Sequence, residues 1–430
     1  MKNKVLRIVF GSLFLKGSLI VLLSSVISNI GSYVYHLAMG RMLGPEDYGI
    51  LESMFSLIYF LSIPLSVLGI VIVKFVSQYS SEESKLSGFV KNIINKASRY
   101  SLYISLMLLI IYPAVNRLIR FDSFLLYFTI ILLFYLGIFP QVFSATLQGL
   151  LKFKEMGILS IINSWTKVIF AFIFVYFGLK VFGAMFGILV SVIISIILGL
   201  IIVRKYVNLK NFKEVRDYDL RKNFGSYSLA VMLSNLSMIS LFSTDIILAR
   251  IFLPPIEAGK YAAISVLGKI IFFASSPIVT VMFPMISERS SKGEKYQKLL
   301  LFCILLLILI SSLISLVYLL FPTLMIVALY GKQYATVSNG LFYFAVFISI
   351  YSLCNLMVIY FLSISRKKVF FFPLTFALLQ IILLCNFHQN IIQMVRMNII
   401  SASLLFIALL VYYLKYGNKT KLSFGDSAGI

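Results

Sequence analysis

Charge is what this sequence has least of. Only 12% of its 430 residues are Asp, Glu, Lys or Arg, against about 25% in soluble globular domains. With 60% hydrophobic residues and a mean hydropathy of +1.00, the chain cannot supply a water-facing surface. That excludes a soluble protein and assigns the chain to a bilayer. Acids are scarcer than bases, 15 against 38, for a net charge of +23. In a soluble chain this balance would point to nucleic acid. Here the bases gather between apolar runs, so nucleic acid is excluded and orientation in an anionic membrane is implied. Only two histidines occur, His36 and His388, near the same predicted face and without other metal-ligating residues. The three cysteines, Cys303, Cys354 and Cys385, stand singly in apolar runs. Without C-x-x-C spacing they form neither a disulfide framework nor a thiolate site. A membrane-embedded glycosyltransferase or polymerase would need catalytic acids on substantial loops, whereas the longest loops here are short and basic. No enzyme, cofactor or metal is expected, and the first apolar run is too long for a cleavable signal core.

What is present is a series of long apolar runs. About twelve reach the length of roughly 20 residues that a helix needs to cross the hydrocarbon: 17–39, 48–73, 98–115, 123–150, 156–178, 181–203, 223–251, 258–285, 297–321, 335–364, 369–386 and 391–414. The first two meet at Arg41-Met-Leu-Gly-Pro-Glu-Asp-Tyr-Gly-Ile50. Gly44-Pro45 ends one helix, and Glu46 and Asp47 open the next at its positive dipole end. A related turn, Ala249-Arg-Ile-Phe-Leu-Pro-Pro-Ile-Glu-Ala-Gly-Lys-Tyr261, follows some two hundred residues later. Tyr48 precedes Pro64 by sixteen residues, and Tyr261 precedes Pro277 by the same interval. The chain therefore reads as an all-α integral membrane protein of two six-helix lobes related by a parallel repeat. The lobes are 1–203 and 223–430, the second with a short C-terminal tail, joined by a basic linker at 204–222.

Basic residues set the orientation. Of the 38, 28 fall on the side shared by both termini and eight on the other. By the positive-inside rule the termini face the cytoplasm. The remaining two, Lys167 and Lys269, lie within the fifth and eighth spans, each eleven residues from its predicted outer end. That is roughly 16 Å deep, and a mid-helix lysine costs about 2.5–3.5 kcal/mol on insertion scales. Two readings stand. One is a cationic site at the midplane, contributed by both halves, for phosphate or pyrophosphate. The other is structural pairing, with Asp245 of the seventh span as a partner for Lys269. Asp245 itself reads as an ion-coupling site or a structural pair. Glu52, one turn into its span, is expected at the interface.

Hydroxyl and amide residues recur along the first span, from Ser24 through Asn29 to Ser32, and along the seventh, from Ser234 and Asn235 to Thr244. Such rows line an aqueous sugar-binding cavity or form helix-packing surfaces. Gln380 falls in the eleventh span where Lys167 falls in the fifth, which makes the halves unequal and the first more basic. Pro64 and Pro277 are hinge candidates.

The motifs Arg41-Met-Leu-Gly-Pro-Glu-Asp-Tyr-Gly, Leu147-Gln-Gly-Leu-Leu-Lys-Phe, Thr244-Asp-Ile-Ile-Leu-Ala-Arg and Glu257-Ala-Gly-Lys-Tyr resemble those of polysaccharide biosynthesis flippases. These belong to a superfamily that also holds multidrug and toxin extruders and the peptidoglycan lipid flippase. The resemblance implies transport of an isoprenoid-phosphate- or pyrophosphate-linked oligosaccharide from the cytoplasmic to the outer leaflet by alternating access. It implies a place in the cell membrane, beside membrane lipids and a glycan polymerase or glycosyltransferases, and a cationic cavity that agrees with Lys167 and Lys269. From the residues themselves, Lys167, Lys269, Asn29, Asn235 and Gln380 are the substrate-binding candidates. The dense lumen arginines and two extra helices of the peptidoglycan lipid flippase are missing. The competing reading is a cation-coupled multidrug extruder, which would need free carboxylates where this chain has deep lysines.

Overall fold

The computed structural model describes residues 2–119, 123–208 and 226–416. Among them the regular structure is helical throughout: α1 (Lys2–Tyr79), α2 (Glu83–Ile110), α3 (Tyr112–Ile119), α4 (Phe124–Gly149), α5 (Phe153–Tyr176), α6 (Lys180–Val203), α7 (Ser226–Phe252), α8 (Pro255–Ser291), α9 (Gln297–Leu320), α10 (Pro322–Tyr330), α11 (Ser338–Ser363), α12 (Phe371–Asn386) and α13 (Ile391–Tyr416). Short 3-10 turns at Lys332–Val337 and Lys367–Phe370 lead into α11 and α12. Among the described residues, ten stretches are long and apolar enough to cross a membrane. The first of them, Leu23–Tyr79, holds two predicted spans, and α2 with α3 accounts for the twelfth. The protein is a multi-pass membrane protein.

The first two spans are arms of one element, broken at Gly44 with φ 77° and ψ 172°. A side chain is strongly disfavoured in that region, so glycine is what allows the chain to turn in one residue. Pro45 then starts the second arm, where its missing N–H costs nothing. The third span differs from expectation: 98–115 becomes a longer helix from Glu83. Its first half buries Leu86, Phe89, Val90, Ile93 and Ala97, a helical face that mean hydropathy overlooks because Lys85, Lys91 and Lys96 occupy the other side.

The chain divides into units 1–223 and 224–430. Within the first, the arm before Gly44 packs on α5: Ser28 and Ser160 hydroxyls meet at 2.9 Å. The arm after it packs on α4, which also touches α2 and α6. Within the second, α7 packs on α12 and α8 on α11, and α11 also touches α9 and α13. The same pairing order recurs, first span with fifth and second with fourth. Gly187 of α6 admits close approach in the first unit, since an added Cβ would lie 2.7 Å from the Cβ of Ala171. Most of the predicted linker 204–222, from 209 on, and the tail beyond 416 lie outside the described residues.

Candidate functional site

Among the described residues, each unit holds a buried polar cluster built across its first helix pair. Residues equidistant from a tight corner lie side by side at one depth. His36 and Glu52 are each eight residues from Gly44, and His36 Nδ1 meets Glu52 Oε1 at 2.5 Å. Asp245 and Tyr261 are each eight residues from Leu253, between α7 and α8, and the Tyr261 hydroxyl donates to Asp245 Oδ2 at 2.7 Å.

In the first unit the pair is nearly closed to solvent, Glu52 being 3% exposed. Glu52 therefore sits inside the lobe, where the Gly44 corner turns it toward His36 on the neighbouring arm. The rings of Tyr35 and Phe55 flank His36, with centroids 5.5 and 4.8 Å away. The Tyr35 hydroxyl donates to the Ala184 carbonyl of α6 at 3.1 Å. Lys167 of α5 is half-buried beside this group. Its Nζ donates to Ser32 Oγ at 3.4 Å and lies 4.9 Å from the centre of the Tyr35 ring. Glu52 acts on it electrostatically, yet among the described residues Lys167 forms no salt bridge.

The second unit's cluster is a chain of hydrogen bonds with no solvent exposure. Asn398 Nδ2 of α13 donates to the Tyr261 hydroxyl at 2.8 Å. Gln380 Nε2 of α12 donates to Asn398 Oδ1 at 2.9 Å and to the Leu241 carbonyl of α7 at 3.1 Å. Asp245, Tyr261, Gln380 and Asn398 are all 0% exposed. Lys269 is buried too, its Nζ 4.4 Å from the Phe242 ring centre, and it attracts the Asp245 carboxylate. Asp245 Oδ1 and Gln380 Oε1 take no hydrogen bond among the described residues, two acceptor oxygens left over in a dry core.

The structure thus brings Asp245, Lys269 and Gln380 into one cluster and places Lys167 in the other. Asn29 and Asn235 are half-buried outside both. Sequence reasoning missed His36, Glu52, Tyr35, Tyr261 and Asn398. Folding the sequence about Gly44 would have paired His36 with Glu52. Asn398 carries no such signal, because its neighbours come from distant helices. His388 stacks on Phe252 at 3.9 Å between ring centres, a packing role. Pro64 and Pro277 lie inside continuous helix. The carbonyl of Phe273 that Pro277 cannot bond accepts from Ser276 Oγ at 3.0 Å. No group of three or more metal-ligating side chains occurs among the described residues.

Comparison with known proteins agrees with this architecture. No curated protein sequence matches the chain. Among solved structures it resembles an inward-facing multidrug resistance MATE family transporter of the MOP superfamily, with a TM-score of 0.72 and 16% identity over 93% of this chain and 98% of that one. A MOP superfamily transporter from Pyrococcus furiosus, described as having a binding pocket of reverse polarity, is similar at a TM-score of 0.63 and 18% identity, over 93% and 96% of the two chains. Another MATE multidrug transporter gives 0.65 and 15%, over 95% and 96%. At these identities the likeness speaks for the fold. The family model described as polysaccharide biosynthesis protein matches residues 14–290, which takes in both corner motifs, both deep lysines and Asp245. On that match, the chain belongs to the polysaccharide biosynthesis protein family and is built on the fold of the MOP superfamily.

Proposed function

We propose that this protein flips an isoprenoid-phosphate- or pyrophosphate-linked oligosaccharide from the cytoplasmic to the outer leaflet of the cell membrane. Both termini lie in the cytoplasm, and the substrate site faces each side in turn by alternating access. The observation that carries this reading is Lys167: a half-buried cation, nine residues before the end of α5 at Tyr176, held by one long hydrogen bond to a hydroxyl. A cation kept at that depth without an ion-paired carboxylate is available to an anionic head group. Membership of the polysaccharide biosynthesis family supplies the sugar.

In this reading Lys167 meets the phosphate, and Asn29 and Asn235, half-buried and with side chains that make no hydrogen bond among the described residues, bind sugar hydroxyls. Lys269, buried in the second unit against Phe242 and beside Asp245, keeps the structural-pair reading. Gln380 is a positioning residue, since it is fully buried and acts through Asn398 and Leu241. Asp245, with its unbonded Oδ1, is the proposed seat of ion coupling, and the helices bend at Pro64 and Pro277. A glycan polymerase or glycosyltransferases act alongside.

The likeness to multidrug transporters favours a second reading, a cation-coupled multidrug extruder. Against it, Glu52 is closed in by His36, and Lys167 repels cationic drugs. Complementation of glycan export in a host lacking its own flippase separates the two. Wild type should restore export, Lys167→Ala should reduce it at least tenfold at equal membrane level, and Lys167→Arg should retain most of it. Normal export by Lys167→Ala would sink the anion site. Drug resistance without export would establish the extruder.

A further inference from the structure

At the end of the second unit that carries the Leu253 corner, a cavity of about 550 Å³ opens between the start of α8, the start of α11 and the turn into α13. It is within the range of small-molecule sites and lies apart from the buried cluster. Its lining is rich in amides: Asn339, Gln389, Asn390 and Gln393, with Arg396 beside them. Two of the amide oxygens are already used. Asn390 Oδ1 accepts from the Gln393 backbone at 2.9 Å, and Gln393 Oε1 accepts from the Gln389 backbone at 2.9 Å. What these two side chains have left to offer is N–H. The cavity's one carboxylate, Glu257, is held by Lys260 at 2.8 Å. Arg396 is exposed and has no ion-paired partner among the described residues. The walls between these groups are apolar, from Val337, Ile391 and Ile392.

Donors outnumber free acceptors, the uncompensated charge is positive, and apolar patches alternate with amides. A ligand that fits has many oxygen acceptors, one negative charge and C–H faces. We infer that this cavity is a docking site for an acidic sugar, with the ring against Ile391 and Ile392, the hydroxyls on the amides, and the carboxylate on the Arg396 fork. By the proposed orientation it opens on the outer face, where it would hold the glycan end of a flipped substrate. The choice of a sugar rests on the flippase reading; the preference for an acceptor-rich anion rests on the lining alone.

The test is calorimetric titration of the purified full chain in nanodiscs with three soluble probes: a glucuronic-acid trisaccharide, a neutral glucose trisaccharide and inorganic phosphate. The acidic trisaccharide should bind and outcompete the neutral one at least tenfold. Arg396→Gln should remove that preference, and Asn339→Ala should weaken both saccharides severalfold. Neither side chain makes a hydrogen bond within the described residues, and both are exposed, so both variants should melt as wild type does. Absence of saccharide binding at millimolar concentration, or binding indifferent to both substitutions, overturns the proposal. Phosphate binding in place of saccharide assigns the cavity to a phosphate group and overturns it equally. Because the titration measures no transport, a protein that binds the acidic sugar yet restores no glycan export keeps this site and loses the flippase reading. One that exports but binds no sugar does the reverse.

Discussion

Replacing Tyr261 by Phe removes one oxygen from the centre of the second unit's network. That oxygen donates to Asp245 Oδ2 at 2.7 Å and accepts from Asn398 Nδ2 at 2.8 Å. A hydrogen bond to a carboxylate contributes about 1.5–3 kcal/mol, and a buried donor left without a partner costs about 1–3 kcal/mol. Asp245 already has one unbonded oxygen, so the loss would leave it with none of its side-chain bonds. The two costs overlap, because the network relaxes as a whole, and about 3 kcal/mol is expected for Tyr261→Phe. Tyr35→Phe in the first unit is the internal standard. It removes a single neutral bond to the Ala184 carbonyl at 3.1 Å, worth about 1 kcal/mol. Thermal unfolding of both variants in detergent, followed by circular dichroism, compares them directly. At about 2–4 °C per kcal/mol for a unit of this size, Tyr261→Phe should lower the midpoint by roughly 6–12 °C and Tyr35→Phe by about 2–4 °C. The double variant Tyr261→Phe/Asn398→Ala should fall short of the sum of its singles by about 1 kcal/mol or more, because they share a bond. Equal shifts for the two tyrosines, or strict additivity in the cycle, would refute the idea that Asp245, Tyr261 and Asn398 act as one unit.

Gly44→Ala places a side chain at φ 77°, ψ 172° and should cost about 1–3 kcal/mol; an unchanged melting point would mean the corner relaxes freely. Gly187→Leu should be worse tolerated than Gly187→Ala, since even a Cβ there meets Ala171, and membrane yield of the two proteins checks the order. Ser276→Ala strips the Phe273 carbonyl of its hydroxyl donor and should cost about 1 kcal/mol, whereas adding Pro277→Ala should restore the backbone bond and recover most of it. Glu52→Gln keeps an acceptor for His36 but removes the charge that acts on Lys167; glycan export by this variant should fall less than by Lys167→Ala, and a deeper loss would move the functional centre to Glu52.

The span count, the repeat and the corners were legible because each rests on local chemistry: apolar length, Gly-Pro breaks and the spacing of prolines. The start of α2 at Glu83 was not, since its buried face from Leu86 to Ala97 is diluted by lysines on the opposite side. Lys167 and Lys269 were visible as charges out of place, and the structure gives them different surroundings: a hydroxyl and a ring for one, a buried carboxylate and Phe242 for the other. The partners of Gln380 were illegible for a plainer reason. Asn398 and Leu241 lie 18 and 139 residues away along the chain, and nothing in an apolar run states which face meets which helix.

The mirror placement of polar partners about each corner bears on how the chain is made. His36 and Glu52 belong to one hairpin, as do Asp245 and Tyr261. A lone carboxylate delivered to the bilayer on a single helix faces a penalty of about 2.5–3.5 kcal/mol at mid-span. A carboxylate delivered with its partner on the adjoining arm is satisfied as soon as two spans have left the ribosome. The smallest unit that can enter the membrane with each of these carboxylates already partnered is therefore the helix pair, and biogenesis of each lobe can begin from its own first hairpin before any later helix exists.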